Sequence, residues 1–336
     1  MKKNEGFTSL EFLISLIFIS ALLIVFCFFS QTISSTINKK INKGNDKEEI
    51  DLLITQVIEE IKMDGTPDVD SKIDTIWHLN ENNSNGYKIT IRSLSGLIDL
   101  NYLNPEIILQ TSISSLFENT ELFQYLEKYK NEGNLFSSYE QLKDFISEEN
   151  FNKYFTFYSF PNMNTADSNG LEILLNKITS SSKGTDFINR RNILKSNKQM
   201  IQNETEYNLF AGIIYDEITP YVNIKPTLNI HFIDESLLRG LLSYQKFEIK
   251  EINQKVNTFL SLREYSEIKQ NDICNILGIS KADELYYYLG CRTWFWEIYI
   301  DGYRNGKSSC KCIIARAFEE NSSDDSIFYI VEKKWL

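Results

Sequence analysis

From Phe12 to Phe29 the chain is apolar except for Ser15 and Ser20, and no charge interrupts it. About 18 to 20 such residues, rising about 1.5 Å each in a helix, cover the roughly 30 Å hydrocarbon core of a bilayer, so a transmembrane helix is expected over about residues 12–30. A secretory signal peptide with Lys2 and Lys3 as its basic region accounts poorly for this start. No small-residue cleavage site follows the apolar run, and the run is longer than a signal core. An uncleaved anchor accounts for the span but gives no reason for Gly6, Phe7 and Glu11 ahead of it. Lys39, Lys40 and Lys43 follow the run, so positive charge flanks it on both sides and does not by itself orient it.

Downstream, Ile33, Ile37 and Ile41, then Ile50, Leu53, Ile54, Val57, Ile58 and Ile61, recur at three- and four-residue spacing. This predicts an amphipathic helix that continues the span, loosened at Gly44 and Asn45 and ended by Asp64-Gly65-Thr66-Pro67. Ile76–Leu79 and Tyr87–Arg92 read as strands about an Asn/Ser/Gly-rich turn. From Tyr102 the periodicity turns helical, over Pro105–Phe117, Glu121–Lys130, Tyr139–Ile146, Leu171–Ile178 and Phe187–Asn203. Strand patterns return over Trp294–Ile300, Cys312–Phe318 and Phe328–Trp335.

Two echoes run through the helical stretch. Asp99–Ile108 parallels Asn229–Leu238 with polar and apolar positions in step, and Phe136–Leu142 parallels Phe259–Tyr265, each with a Ser set to cap a helix. The expected fold class is α+β, with a long N-terminal transmembrane and then amphipathic helix and an antiparallel sheet holding an inserted helical domain. The expected division is a leader over 1–6, a stem helix over 7–63, sheet over 64–101 and 284–336, and an internally duplicated helical insertion over 102–283.

Gly6-Phe7-Thr8-Ser9-Leu10-Glu11 resembles the processing site of type IV prepilins, which has a short basic leader ending in Gly, an aromatic first mature residue and a Glu at the fifth mature position. The resemblance implies cleavage between Gly6 and Phe7 by a prepilin peptidase, N-methylation of Phe7, and pairing of Glu11 with the amino terminus of a neighbouring subunit in the membrane. A carboxylate at the rim of an apolar helix is costly unless it is paired. The body of the chain resembles the largest minor pseudopilin of type II secretion, general secretion pathway protein K. The resemblance rests on Asp99-Leu100-Asn101 and Asn229-Ile230-His231 as turns into helices, on Ile218-Thr219-Pro220-Tyr221-Val222, and on the terminal strands. It implies a pilin-like sheet, a place at the tip of a pseudopilus and a role in protein secretion. The partners it implies are other minor pseudopilins, assembly-platform proteins and the inner membrane, with the C-terminal part in the periplasm or outside the cell. Glu11 departs from the K type, which carries an apolar residue there. It leaves open a minor pilin of a type IV pilus or of a DNA-uptake filament.

The acidic balance, 46 Asp plus Glu against 35 Lys plus Arg, argues against nucleic-acid binding unless the uptake alternative holds. No GxSxG, HExxH, Walker A or Rossmann glycine pattern occurs, and the two histidines, His78 and His231, share no motif. An enzyme is therefore not expected. Cys274, Cys291, Cys310 and Cys312 would suit one or two disulfides in an exported head, with buried thiols as the other reading. Cys310 and Cys312 fall on one face of a strand. No cofactor is certain. Calcium is the one ligand the family resemblance brings, and Asp167, Asn169 and Glu172 around Gly170 offer the oxygens. A helix start capped by Asp167 explains the same residues equally well.

Overall fold

The computed structural model describes residues 46–336 apart from 64–65, 67, 81–82, 85, 118–119, 303–307 and 321–325. Gly6, Phe7, Glu11, Cys27 and the expected span at 12–30 lie outside the described residues. Among the described residues no helix is long and apolar enough to cross a membrane.

Helix α1 occupies 46–62. Its buried residues Ile50, Ile54, Val57 and Ile61 fall on one stripe at helical spacing, while Leu52 on the opposite face is 70% exposed. The stripe lies under an antiparallel five-stranded sheet ordered β1-β2-β7-β8-β9. The strands are β1 (Asn83–Ser84), β2 (Tyr87–Ser93), β7 (Phe295–Gly302), β8 (Cys310–Glu320) and β9 (Ser326–Trp335). Alternate residues of the strands turn toward α1: Tyr87, Ile89 and Ile91 from β2, Trp296, Ile298 and Ile300 from β7, and Cys310, Cys312 and Ile314 from β8. Each buried aliphatic residue here stabilises the fold by about 1.5–3 kcal/mol.

The stretch 76–79, expected as a strand, is instead a turn of 3-10 helix, Thr75–Asn80. Ile76 and Leu79, three apart, both join the α1–sheet core, which a strand would prevent by turning them to opposite faces. At its end Asn80 takes the backbone of β2: Ile91 N–H donates to Asn80 Oδ1 at 2.6 Å, and Asn80 Nδ2 donates to Ile91 O at 3.4 Å.

Between β2 and β7 the chain leaves the sheet and returns to bond the strand it left, with Ile89 opposite Ile300 and Ile91 opposite Ile298. The intervening stretch is mainly helical and holds two units of like construction. The first runs from β3 (Ile98–Asp99) through α2 (Pro105–Leu109), α3 (Thr120–Asn131) and α4 (Glu148–Tyr154) to β4 (Phe155–Thr156). The second runs from β5 (Leu228–Asn229) through α9 (Glu235–Tyr244), α10 (Ile249–Leu262), α11 (Gln270–Leu277) and α12 (Glu284–Tyr288) to β6 (Leu289–Gly290). Each unit closes on itself by a short parallel pair, β3 with β4 and β5 with β6.

The two units share one hydrophobic core. Helices α2 and α9 run antiparallel across it, with Asn104 at the head of one bonded to Tyr244 at the foot of the other, and Ser112 bonded to Ser236. Gly240 permits the approach, since a Cβ there would sit 2.5 Å from Thr111 Cγ2. Between the units, α5 (Ser168–Ile178), α6 (Ser181–Ser196), α7 (Glu204–Ala211) and α8 (Tyr215–Ile218) enclose a separate core around Leu171, Leu175, Phe187 and Tyr207.

The first sequence echo lines up equivalent structure, and the second does not. Ser138 does begin a helical turn in a capping box with Gln141, but 259–265 lies in the last turn of α10 and beyond it, where no helix starts. The true counterpart of the Ser138 turn is the start of α11, where Lys269 N–H is accepted by Asp272 at 2.9 Å. The cap is carried there by an acid rather than a Ser and Gln, so residue identity hid the match.

Candidate functional site

Elements remote in sequence meet at a buried polar junction between sheet and helices. Asp70, on the segment after α1, accepts from Arg316 Nη2 of β8 at 2.7 Å, and both side chains are buried. Thr293 N–H donates to the other Asp70 oxygen at 2.6 Å. Burial raises the Asp70 carboxyl above its ordinary range, against the pull of the Arg316 guanidinium and the Thr293 amide. The guanidinium also lies over Trp296 at 5.0 Å and Phe328 at 5.4 Å. Asn229, at the end of β5, donates through Nδ2 to Asp70 O at 2.8 Å, Thr293 Oγ1 at 3.0 Å and Cys291 O at 3.2 Å. The segment after α1, the sheet and the second unit are thereby held by one hydrogen-bonded cluster.

Equivalent bonds recur in both units, 130 positions apart where both turns are concerned. Asp99 Oδ1 accepts from Asn101 N–H at 2.6 Å, and Asn229 Oδ1 accepts from His231 N–H at 2.9 Å. Asn104 and Asp234 then cap α2 and α9. The residue two beyond the strand grips the backbone of a later segment in each unit. Asn101 accepts from Phe136 N–H at 2.8 Å and donates to Phe136 O at 3.0 Å. His231 Nε2 accepts from Ile268 N–H at 3.0 Å. That bond needs a bare Nε2 lone pair, so the imidazole is neutral, and burial pushes its pKa down to about 4. Asp99 is also buried, with its pKa pushed up to about 6, and it accepts from Ser159 Oγ.

The calcium candidates have other partners. Asp167 caps α5, accepting from Gly170 N–H at 3.1 Å, and faces the buried Lys130 ammonium at 3.3 Å, which opposes a second cation. Asn169 donates to Asn131 at 2.8 Å, and Glu172 accepts from Thr185 at 2.9 Å. Of the two readings of this loop, the geometry is that of the capped helix start. Gly170 is there for packing, since a Cβ would lie 2.0 Å from Asn101 O. Among the described residues no group of three or more His, Cys, Asp or Glu side chains is placed to hold a metal ion.

The four cysteines expected to bridge are free thiols. Cys310 and Cys312 lie side by side in the α1–sheet core, where neighbours two apart on one strand project in parallel. Cys291 donates to Asp68 O at 3.3 Å, and burial pushes its thiol up to about 11. Cys274 sits on α11 in a different element. Burial pushes Cys312 up to about 12 and raises Cys310 as well, so Cys291, Cys310 and Cys312 are unreactive buried thiols at neutral pH, while Cys274 is half-buried.

The chain matches no protein-family model and no curated protein sequence. Sequence reasoning missed Asp70, Thr293 and Arg316, which have no periodic or motif signal. Asn229 was within reach, because its alignment with Asp99 marks it as a turn residue, though not as an anchor to the sheet.

Proposed function

We propose that this chain is a non-enzymatic minor subunit of a type IV filament-class assembly, a minor pseudopilin of type II secretion whose bulky head caps a short filament. One observation carries the reading. The helix that follows the apolar run lies with its buried stripe under an antiparallel sheet, and that sheet is interrupted between β2 and β7 by a large helical stretch. An apolar helix passing into an amphipathic one, roofed by a sheet, is the construction that lets a subunit be stored in a membrane and then be packed by its helix into a rod. A head of this size would collide with neighbours inside a packed rod, which favours the end position. Glu11 favours a second reading, a minor pilin of a type IV pilus or DNA-uptake filament, since it supplies the carboxylate expected of a subunit with another above it.

Mass spectrometry of the mature N-terminus tests the class: N-methylated Phe7 is expected, and an intact Met1 overturns it. Co-purification of the full chain with smaller pseudopilins of the same cell tests the place. Immunogold label confined to filament ends is expected, and label along the length selects the second reading.

A further inference from the structure

The two edges of the sheet are finished differently. On the β2 side, Asn80 occupies the backbone of Ile91 and β1 pairs with Tyr87 and Lys88. Among the described residues β9 has β8 as its one strand neighbour. Its far end is held by Tyr158 Oη on the Glu332 carboxylate, by Lys333 with Asp51 and by Leu336 N–H on Ser309 O, which leaves the stretch 327–331 as the open part among the described residues. That stretch exposes Ile327, Tyr329, Ile330 and Val331 at 39%, 42%, 49% and 43%. Long apolar edges are normally blunted by charge, proline or cover, because their backbone donors and acceptors template another strand.

The face of β9 turned away from α1 borders a cleft of about 790 Å³. Tyr329, which stands opposite Ala315, lines it together with Phe160, Tyr215 and Tyr221, and Glu204, Asp216 and Lys225 stand on its wall, which carries one net negative charge. A strand laid along β9 would extend the sheet over this cleft and send alternate side chains into it.

We propose that the stretch Ile327 to Val331 takes an extended segment of a partner polypeptide as a sixth strand, with alternate apolar side chains in the aromatic cleft and one basic side chain set against Glu204 and Asp216. Backbone pairing supplies affinity and the cleft supplies selectivity. Charge argues for a partner with a basic residue rather than a second copy, which would bring another Glu204 and Asp216, and a net charge of -11, against the first. The inference does not depend on the filament reading.

The test uses the full chain in detergent micelles and a fluorescein-labelled peptide of alternating valine and threonine with a central lysine. Saturable anisotropy is expected, with slowed amide exchange confined to β9. N-methylating alternate peptide amides should weaken binding at least about tenfold, a loss of about 1.4 kcal/mol or more. Glu204→Gln with Asp216→Asn should weaken the lysine peptide several-fold and leave a peptide with threonine in its place unchanged. Val331→Pro, at a residue without a register partner on β8, should abolish binding. The N-methylated control on the unaltered protein decides the matter if that variant misfolds. Absence of saturable binding, equal binding of the N-methylated peptide, or protection mapped outside β9 overturns the proposal. So does self-association that protects β9 without peptide, which would make a second copy the occupant.

Discussion

The two strand–turn–helix units make the same bonds within themselves and opposite attachments outside. In the first, the turn after the strand faces the α5–α8 core. Asp167 N–H donates to Tyr102 O at 2.7 Å, and Gly170 presses against Asn101 O. In the second, the same turn faces the sheet. Asn229 bonds Asp70 and Thr293, and Phe232 packs its ring 5.2 Å from Trp77. One scaffold is thus used twice, once to hold a helical subassembly and once to hold the helical stretch to the sheet and the segment after α1. The internal bonds set the shape of each unit, and the residue at the strand end sets what the unit is fastened to.

Breaking the sheet-side attachment should cost most. Arg316→Met leaves Asp70 buried without its cation and is expected to lower unfolding free energy by about 3–5 kcal/mol, read by denaturant unfolding of the full chain in detergent. Asn229→Ala strands the carbonyl of Asp70 and the His231 amide and takes a donor from Thr293 Oγ1 and the second of two donors from Cys291 O, with an expected loss of about 3 kcal/mol. The matching change in the first unit, Asn101→Ala, strands the Phe136 amide and carbonyl alone and should cost about 2 kcal/mol. Equal losses at Asn229 and Asn101 would mean that the sheet-side bonds contribute little.

Two titrations sharpen the contrast. His231 has a folded pKa near 4, below the ordinary 6.5. The unfolded chain therefore binds the extra proton, and stability contributed by the second unit is lost as pH falls from about 6.5 toward 4. Asp99 has a folded pKa near 6, above the ordinary 3.8. Here the folded chain binds the proton, so the first unit loses stability as pH rises from about 4 to 6. His231→Asn, which installs the residue type found at Asn101, should flatten the first dependence and leave the second. Asp99→Asn should do the reverse and raise stability at neutral pH. Unfolding midpoints from pH 4 to 7 check both.

The mixed α+β character, the antiparallel strands from Phe295 on and the amphipathic helix α1 were legible because each has a clean period. Ile50, Ile54, Val57 and Ile61 repeat at helical spacing, and Phe295 to Gly302 alternates between deeper and shallower burial over much of its length. The stretch 76–79 was misread because two apolar residues three apart within four fit either period. The echo of 99–108 in 229–238 was visible because turn and cap chemistry demands particular residue types. The Asp70–Arg316 junction was not legible, since a buried ion pair between positions 246 residues apart leaves no local trace. Nor did the calcium candidates tell capping from ligation, because Asp167 suits both, and its bond to Gly170 N–H and its contact with Lys130 are seen only in the structure.

The return of the chain to β2 after the whole helical stretch has a consequence for biosynthesis. As the polypeptide emerges from the ribosome, β2 is finished early and then waits, because its neighbour β7 begins only at Phe295 and the strands beyond it end at Trp335. Such pairing between distant segments is slow to close. Until then the α1 stripe and the half-made sheet have no roof, so a nascent chain stalled or clipped before Phe295 would present bare aliphatic surface to chaperones and proteases. Cover for that surface therefore depends on β7 to β9, whatever the state of the helices already folded before them.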